Sequence, residues 1–361
     1  MEHMKIKRVH QSLYSLPLRA SLPGTPKNQT ERHGIIVGLE SDDGAIGWGD
    51  IAPLEGFSIE TLSEANAALS AYISELLELD IDRDLLPLKD SVLRSLAQAD
   101  LFSSLRFGLE TALLNLCALR SGVPWHRVLT NKYCDSITVN ALANGDHVAD
   151  DVHECIAQGF RHVKIKIGQL IPERAAEIVT NAVQAGGDRL VLRLDVNGAW
   201  NLDTAIRFGG LVQELPIEYI EEPVNSVSGI EEFIKRSAVS VALDESLGVL
   251  DHVIKGVYAI IIKPTFRGGI SGSLKLADDA RCAGAIPIVS SAFESGVAMR
   301  ALIQLAAVIG DRDMPVGLDT YRRLADDILS PRLDINHPVL DVDEVVSNRV
   351  RIRVEGQEHG F

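Results

Sequence analysis

The sequence predicts an α/β protein with a modified (β/α)8 TIM-type barrel and an α+β capping domain formed by the N-terminal region and the C-terminal tail. Three observations predict this fold. Short apolar, β-branched runs alternate with helical segments through the centre of the chain, antiparallel and helical patterns precede them, and a strictly alternating segment follows. The expected boundaries are 1–133 for the N-terminal capping region, 134–321 for the barrel, and 322–361 for the returning C-terminal segment.

The N-terminal region begins with predicted strands. Residues 5–18 alternate loosely between polar and apolar, and the apolar runs 34–41 and 45–51 flank an Asp-Asp-Gly sequence. An Asp-Gly turn between two such runs predicts a β-hairpin. The spacing of apolar residues then becomes helical, over 62–79 and again between 89 and 120. This region is therefore expected to be α+β.

The centre of the chain contains eight short runs that are predicted as barrel strands. They are residues 137–142, 162–167, 190–195, 217–221, 239–243, 258–263, 286–290 and 315–318. Predicted helices such as 172–186 and 273–284 lie between them and end at glycine, as helix C-termini commonly do. Eight βα units within about 180 residues favour a closed parallel barrel over an open doubly wound sheet. Residues 349–354 alternate strictly and are expected to rejoin the first domain.

Composition excludes several classes of function. The 361 residues carry 35 Lys and Arg against 50 Asp and Glu, and the net charge of −15 would repel nucleic acid and anionic lipid. No run approaches the roughly 18 apolar residues of a membrane span. No secretory apolar run is found near the start, so we expect a cytoplasmic protein, monomeric or a simple homo-oligomer. Four cysteines without a Cys-x-x-Cys pair predict buried thiols rather than disulfides or zinc ligands.

Charged residues stand at the ends of five successive predicted strands. They are Lys166, Asp195, Glu221, Asp244 and Lys263, separated by 29, 26, 23 and 19 residues. Each separation is the length of one βα unit. Active sites of parallel barrels lie at the carboxyl ends of the strands, so we expect these five side chains around one edge of the barrel.

Three carboxylates that point at one place raise one another's pKa unless a cation compensates them. Oxygen-only ligands favour Mg²⁺, with Mn²⁺ as a substitute, and the flanking lysines would balance a small anionic substrate. Lys164 lies on the same strand face as Lys166, and a second ammonium there favours a neutral, proton-accepting Lys166. Arg193 stands in the same relation to Asp195.

Each of these residues, taken alone, has a simpler interpretation. A single acidic residue at a strand end is often a solvated loop residue or a helix N-cap, and Asp244, followed by Glu245 and Ser246, also fits that description. Five charges at five successive strand ends are harder to explain in this way, because the interior of a barrel is normally filled by Val, Ile and Leu.

The stretches that carry these residues resemble the strand-end motifs of the enolase superfamily members with two lysines. They are KIKIG (164–168), RLDVNGAW (193–200), YIEEPV (219–224), ALDES (242–246) and IIKPTFRGG (261–269). Within that superfamily the chain is similar to the o-succinylbenzoate synthases. Further stretches that support this similarity are APLEGFSIET (52–61), SSAFES (290–295) and VGLDTY (316–321).

The resemblance implies a reaction and a role for each charged residue. Asp195, Glu221 and Asp244 would be the Mg²⁺ ligands, Lys166 the base, and Lys263 a stabilising cation across the substrate. The implied reaction is dehydration of 2-succinyl-6-hydroxy-2,4-cyclohexadiene-1-carboxylate to o-succinylbenzoate, a step of menaquinone synthesis. Lys166 would remove the proton α to the carboxylate to form an enediolate, and the hydroxyl would leave from the adjacent carbon.

The remaining predictions concern substrate contacts and neighbours of the site. Ser290 and Ser291 would hold a substrate carboxylate or, alternatively, cap the following helix. Asp319 would orient a lysine of the site or cap a turn. Loops 16–25 and 51–61 are expected to close over the substrate. The other predicted substrate contacts or supporting residues are Lys164, Arg193, Asn197, Glu245 and Glu294.

Two other functions remain open at this point. The same site chemistry serves N-acylamino acid racemases, dipeptide epimerases and muconate cycloisomerases of the superfamily. Dipeptide epimerases typically carry an Asp-x-Asp sequence at the eighth strand, where this chain has Asp319-Thr320-Tyr321. A non-catalytic scaffold is the alternative from another class, and it is disfavoured because a scaffold has no reason to bury this charge.

Overall fold

The N-terminal region of the computed structural model forms a four-stranded antiparallel sheet. The structure describes residues 3–21, 29–82, 93–94, 96–143, 147–354 and 357–361. The sheet order is β3-β2-β1-β4, and its strands are β1 (His3–Pro17), β2 (Glu31–Ser41), β3 (Ile46–Ile51) and β4 (Asp80–Asp82). The predicted hairpin is confirmed, because Ile35 pairs with Ile51 and Glu40 with Ile46 on either side of the Asp-Asp-Gly turn.

The helices of this region include α1 (Leu62–Leu77), α2 (Ser103–Ser121) and α3 (Trp125–Leu129), and residues 93–94 and 96–98 are also helical. Helix α2 packs tightly on β3: a Cβ on Gly49 would lie 1.9 Å from the carbonyl oxygen of Gly108, so only glycine fits. The predicted helical region between 89 and 120 is interrupted, since residues 99–102 are not helical and α2 begins at Ser103. Residues 83–92 and 95 lie outside the described residues.

The central region forms a sheet of seven parallel strands in sequential order. The strands are β6 (Ala141–Ala143), β7 (His162–Lys166), β8 (Val191–Asp195), β9 (Ile217–Glu221), β10 (Val241–Leu243), β11 (Ala259–Ile262) and β12 (Ile286–Val289). The preceding strand, β5 (Ser136–Thr138), pairs antiparallel with β14 (Val339–Asp341) outside this sheet. The first predicted strand, 137–142, is therefore split between two sheets.

The eighth predicted strand is reduced to two bridging residues. Val316 bridges Val139 at one edge of the seven-stranded sheet, and Gly317 bridges Ser290 at the other. The chain turns into a short 3-10 helix directly afterwards, at Asp319, which leaves no room for a longer strand. These bridges join the two edges of the sheet, which accounts for the modified character of the barrel.

Six helices follow barrel strands in the described residues. They are α4 (Val148–Ala157), α5 (Pro172–Gly186), α6 (Leu202–Val212), α7 (Val227–Arg236), α8 (Gly269–Ala283) and α9 (Gly296–Ile309). Helix α8 starts four residues earlier than predicted, and it ends at Gly284 as expected. None of the described helices is both long and apolar enough to cross a bilayer.

The C-terminal segment contains β13 (Leu329–Ser330), β14, α10 (Val342–Ser347), β15 (Arg351–Val354) and β16 (Gln357–Gly360). In the described residues, β15 pairs with β13 and β16 and adds no strand to the N-terminal sheet. The C-terminal segment contacts the N-terminal region through an antiparallel bridge between Leu18 and Leu324, and the rings of Trp48 and His359 lie 5.2 Å apart.

The cysteines are free thiols, but they are not uniformly buried as predicted. Cys117 and Cys155 are buried, Cys134 is half-buried, and Cys282 is exposed near the end of α8. The exposed position lies on the outer face of an amphipathic helix, where the helical pattern places both small and polar residues.

Candidate active site

Three buried carboxylates lie at the carboxyl ends of neighbouring barrel strands, an edge called the rim below. Asp195 and Glu221 are the last residues of β8 and β9 and stand opposite each other, and Asp244 directly follows β10. Their exposed fractions are 2%, 0% and 2%. The strand register thus brings together the three acidic residues that the sequence predicts.

Two lysine ammonium groups neutralise these carboxylates. Lys164 Nζ lies 2.9 Å from Asp195 Oδ2 and donates to both oxygens of Glu221, at 2.8 and 2.7 Å. Lys263 Nζ forms an ion pair with Asp244. Burial lowers the pKa of Lys164, but the two carboxylates outweigh it and hold that pKa well above its usual range. Both lysines are therefore cations that belong to the site.

The two carboxylates that share Lys164 differ in proton affinity. Burial raises the pKa of Glu221 to about 8, and the neighbouring Asp195 charge adds to the increase. Burial also acts on Asp195, but the Lys164 and Lys166 ammonium groups outweigh it and lower its pKa. The pKa values of these two neighbouring carboxylates are thus shifted in opposite directions, as is typical of functional sites.

Lys166 differs from the other lysines because its side chain is 61% exposed. Its Nζ lies 3.9 Å from Asp195 Oδ2 and 3.3 Å from Asn197 Oδ1. Asn197 in turn donates from its amide nitrogen to Glu245 Oε1 at 3.0 Å. Lys164, on β7 like Lys166, is paired with carboxylates at the ends of β8 and β9, whereas the Lys166 side chain is largely exposed at the rim.

Backbone strain is concentrated on the same rim. Among the described residues, the non-glycine positions with positive φ are Asn197 at 50°, Glu222 at 44° and Phe293 at 63°. Each lies shortly after a barrel strand. Such conformations cost on the order of 1–3 kcal/mol each and cluster at functional sites, where the surrounding structure enforces them.

Glu222 is a supporting residue that the sequence reasoning missed. Its Oε1 accepts hydrogen bonds from the Asp244 amide at 2.6 Å, the Ser246 amide at 3.0 Å and the Ser246 hydroxyl at 2.6 Å. It therefore ties the end of β9 to the loop that carries Asp244. The two adjacent glutamates of YIEEPV could be recognised in the sequence, but the strained backbone of Glu222 could not.

Arg267 was also missed, although it lies within a motif identified in the sequence. Its guanidinium donates to the carbonyl oxygens of Asp244 at 2.6 Å and Glu245 at 3.3 Å. Arg267, in the loop after the sixth barrel strand, thus fixes the backbone of the loop after the fifth strand. Nothing in the spacing of the sequence indicates this contact, because it depends on how two loops cross.

Two predicted site residues have their polar groups engaged by other parts of the protein. Arg193 is fully buried in the barrel interior and donates to Glu218 at 2.6 Å, Asn140 Oδ1 at 3.0 Å and the Pro315 carbonyl at 2.6 Å. Asp319 accepts from the Leu142 amide at 2.9 Å. In this structure Arg193 links strands near the point of barrel closure, and Asp319 caps a strand end.

The serine pair after β12 uses its hydroxyl groups within the protein. Ser290 Oγ and Ser291 Oγ each donate to the Gly317 carbonyl at 3.1 Å, and Ser291 Oγ also lies 2.5 Å from Thr320 Oγ1. Glu294 is completely buried, with Oε1 accepting from the Thr265 hydroxyl at 2.6 Å. These residues therefore join the sixth, seventh and eighth segments of the rim.

One of the two predicted closing loops contacts the rim. Phe57, in the loop 51–61, stacks on Phe266 of the sixth-strand loop with ring centroids 6.5 Å apart and planes inclined by 12°. Phe57 remains 40% exposed. In the other loop, 16–25, residues 22–25 lie outside the described residues.

The donor chemistry of the rim fits a hard divalent cation. Asp195, Glu221 and Asp244 supply only carboxylate oxygens, which Mg²⁺ prefers. A carboxylate offers about four acceptor positions, so Lys164 and Lys263 do not exhaust them. In the part of the chain that the structure describes, no three potential ligand side chains are already grouped closely enough to hold a metal. The three carboxylates are therefore of the chemical type that Mg²⁺ prefers, and in this structure their charge is balanced by Lys164 and Lys263.

Comparison with known proteins agrees with this arrangement. The family described as enolase C-terminal domain-like matches residues 147–345, and the family described as MenC, N-terminal domain, matches residues 6–116. An o-succinylbenzoate synthase of Yersinia pseudotuberculosis is 30% identical over 340 residues, covering 92% of this chain and 96% of that protein. The chain belongs to the o-succinylbenzoate synthase family of the enolase superfamily. It is therefore an enzyme, and its family is one of carbon–oxygen lyases.

Other relatives extend the family comparison. The o-succinylbenzoate synthase of Pasteurella multocida is 29% identical over 340 residues, covering 91% of this chain and 94% of that protein. Protein PHYLLO, chloroplastic, of Arabidopsis thaliana is 28% identical over 375 residues. That match covers 92% of this chain but 22% of the plant protein, so the chain spans about a fifth of that relative.

Solved structures of the superfamily share the fold. The L-Ala-D/L-Glu epimerase of Bacillus subtilis superposes with a TM-score of 0.80 at 21% identity, covering 93% of this chain and 96% of that one. A dipeptide epimerase of Methylococcus capsulatus, solved with Mg and the dipeptide L-Arg-D-Lys, gives a TM-score of 0.77 at 26% identity, covering 90% and 93%. The α/β barrel fold predicted from the sequence is thus confirmed.

Proposed function

We propose that this o-succinylbenzoate synthase family member dehydrates 2-succinyl-6-hydroxy-2,4-cyclohexadiene-1-carboxylate to o-succinylbenzoate, a step of menaquinone synthesis. The observation that carries the proposal is that the rim lysines differ in their ion pairs and in their exposure. Lys164 and Lys263 are engaged by buried carboxylates, whereas Lys166 projects outward with 61% of its side chain exposed. A base must reach substrate, and Lys166 is placed to do so.

Asp195, Glu221 and Asp244 are the residues that would hold Mg²⁺, with Mn²⁺ as a substitute. The bound ion would supply positive charge for the substrate carboxylate and for the charge that develops on it during reaction. The dipeptide epimerase of Methylococcus capsulatus was solved with Mg, and the oxygen-only donor set of this chain supports the same choice. Because the three carboxylates are buried at the ends of adjacent strands, they are oriented before an ion binds.

Lys166 would take the proton from the carbon α to the substrate carboxylate. The electron pair of that C–H bond becomes a ring double bond as hydroxide departs from the adjacent carbon. Water is completed when the proton held by Lys166 is transferred to that hydroxide. Lys263, held beside Asp244 on a separate strand, would stabilise negative charge that is larger in the transition state than in the ground state. Asn197 lies 3.3 Å from Lys166 Nζ and would orient it.

The second candidate is racemisation or epimerisation of an N-acylamino acid or dipeptide. It is favoured by the fold similarity to dipeptide epimerases, one of them at 26% identity. The same base would remove an α-proton, but the proton would return instead of a hydroxyl leaving. The sequence Asp319-Thr320-Tyr321 disfavours this candidate, because Tyr321 stands where dipeptide epimerases typically carry the second aspartate of an Asp-x-Asp sequence.

One experiment separates the two candidates. Purified protein with Mg²⁺ is mixed with the cyclohexadiene substrate, and ultraviolet absorbance is followed as the ring becomes aromatic. In parallel, an N-acylamino acid is incubated in deuterated water and its α-proton exchange is measured. The proposal predicts rapid aromatisation that stops with excess chelator and resumes with Mg²⁺. Absence of aromatisation together with rapid α-proton exchange would transfer the function to racemisation.

A further inference from the structure

The N-terminus of helix α9 joins three parts of the chain through buried carboxylates. Asp50, at the end of the N-terminal hairpin, accepts from the Ser295 amide at 3.1 Å and from the Ser295 hydroxyl at 2.7 Å. Asp327, from the C-terminal segment, accepts from the Gly296 amide at 3.0 Å. Asp50 is 0% exposed and Asp327 1%. Carboxylates at a helix N-terminus satisfy its free amides and its dipole, so this junction is firmly held.

The hairpin side of the junction is equally well defined. The Tyr14 hydroxyl donates to Asp50 Oδ1 at 2.9 Å and to Oδ2 at 3.1 Å. Tyr14 and Asp50 lie on β1 and β3 of the N-terminal sheet. The carboxylate therefore has the sheet on one side and Ser295 on the other, and it transmits the position of the sheet to the start of α9.

Ser295 directly follows the seventh-strand loop of the rim. Its neighbour Glu294 is 0% exposed and accepts from the Ala292 amide at 2.5 Å and the Thr265 hydroxyl at 2.6 Å. Thr265 is two residues beyond Lys263. Hydrogen bonds at Asp50 and Glu294, joined by short stretches of backbone, thus connect the N-terminal sheet through the loop 290–295 to the strand end that carries Lys263.

We propose that Asp50 is a positioning residue of the active site, which holds the loop 290–295 and, through Glu294 and Thr265, the backbone beside Lys263. The inference rests on the proposed function for the role of Lys263 and goes beyond it by assigning part of the site geometry to the N-terminal sheet. A displacement of about 1 Å in a catalytic constellation can cost on the order of a hundredfold in rate.

The test compares three variants of the full chain by amide hydrogen exchange and by kinetics with Mg²⁺. Asp50→Ala removes every acceptor offered to Ser295, whereas Asp50→Asn keeps one acceptor oxygen for it. Glu110→Ala is the matched control, because Glu110 is a buried carboxylate from α2 that accepts from the Ile270 and Ser271 amides at the start of α8. Each carboxylate is expected to protect its own segment.

For Asp50→Ala we expect exchange in 290–296 to become about tenfold faster, while protection in 269–272 stays at the wild-type level. Glu110→Ala should produce the reverse pattern. At a temperature where all variants are folded, kcat of Asp50→Ala should fall by about tenfold to a hundredfold with a smaller change in KM. Asp50→Asn should recover most of this loss, which a role through charge alone would not allow.

Unchanged exchange in 290–296, or a kcat of Asp50→Ala within about twofold of wild type, would overturn the inference. If Asp50→Ala does not fold, Ser295→Ala removes the 2.7 Å bond from the other side and is judged by the same two criteria. If the wild-type protein does not aromatise the cyclohexadiene substrate, the proposed function fails. The exchange pattern then still decides whether Asp50 holds the loop.

Discussion

Two sets of buried carboxylates, in different regions of the molecule, differ in their partners. At the rim, Asp195, Glu221 and Asp244 face lysine ammonium groups. At the contacts of the N-terminal region with α8 and α9, Glu110 and Asp50 accept from backbone amides and hydroxyls. Long lysine side chains can rearrange when a metal ion or an anionic substrate arrives, whereas backbone donors are fixed. At the rim, the lysine partners can therefore give way to a metal ion or a substrate. At the helix contacts, the backbone donors keep the starts of α8 and α9 in a fixed position.

The pKa shifts of these carboxylates differ in direction. The lysines bring the pKa of Asp195 below its usual range despite burial, whereas burial and the Asp195 charge raise the pKa of Glu221 to about 8. Burial raises the pKa of Asp50 to about 6 and of Glu110 to about 7, because amide and hydroxyl donors compensate the charge only partly. A carboxylate with a raised pKa contributes stability that is lost as the pH rises, whereas the lowered pKa of Asp195 contributes stability that is lost as the pH falls.

The largest expected effect concerns the exposed rim lysine. Lys166→Ala should lower kcat for dehydration by about 10²–10⁴-fold, because the general base is removed while the buried Lys164–Glu221 pair is retained. Steady-state kinetics in Mg²⁺ measure this, with Lys263→Ala expected to be nearly as damaging. The control is Lys275→Ala on the exposed face of α8, where an ion pair with Asp279 is all that is lost. Full turnover by Lys166→Ala would show that Lys166 is not the base.

The next effect concerns the barrel interior rather than the rim. Arg193→Met should reduce the free energy of unfolding by about 3–5 kcal/mol, because the Glu218 carboxylate would lose its ion-pair partner in a largely buried position. Urea unfolding at pH 7 measures the change, and KM of the folded variant should stay near the wild-type value. A large rise in KM without loss of stability would instead make Arg193 a substrate contact.

A pH-dependent effect distinguishes the two kinds of carboxylate. Glu110 has an ordinary pKa of 4.5 when unfolded and about 7 when folded. Between these values the folded protein holds a proton that the unfolded chain has released, so its contribution to stability is lost as the pH rises toward and through 7. Glu110→Gln should therefore gain about 2–3 kcal/mol relative to wild type between pH 5 and pH 8.

Urea unfolding of both proteins at the two pH values tests this, because every other titrating group is common to both. An equal difference between variant and wild type at pH 5 and pH 8 would show that Glu110 is ionised throughout the range. The contrast between amide-paired and lysine-paired carboxylates would then not hold for stability.

The smallest effect concerns the aromatic contact between the loop 51–61 and the rim. A double-mutant cycle with Phe57→Ala and Phe266→Ala should give a coupling of about 0.5–1.5 kcal/mol in the free energy of unfolding, as for stacked aromatic pairs. A coupling near zero would mean that the loop rests on the rim without energetic linkage.

The sequence predicted the part of the molecule whose pattern is local. Strand ends at Lys166, Asp195 and Glu221 follow from apolar periodicity and from charge where an apolar run stops, and the structure places them at those ends. The hairpin likewise follows from its turn residues. These features need no knowledge of distant contacts.

What the sequence did not predict depends on contacts between distant segments. The eighth strand is reduced to Val316 and Gly317, of which Val316 bridges one edge of the barrel sheet and Gly317 the other. Glu222 and Asp50 support the site through backbone amides, and a backbone donor has no signature in side-chain spacing. Arg193 looked like a rim residue by its two-residue spacing from Asp195, but its long side chain extends into the interior.

The most direct measurement uses substrate deuterated at the carbon α to its carboxylate, in a single turnover with Mg²⁺. We predict that the deuterium slows aromatisation by wild-type protein severalfold and that Lys166→Ala shows no aromatisation on the same timescale. Aromatisation by Lys166→Ala at the wild-type rate would contradict the central claim that the exposed rim lysine removes the proton.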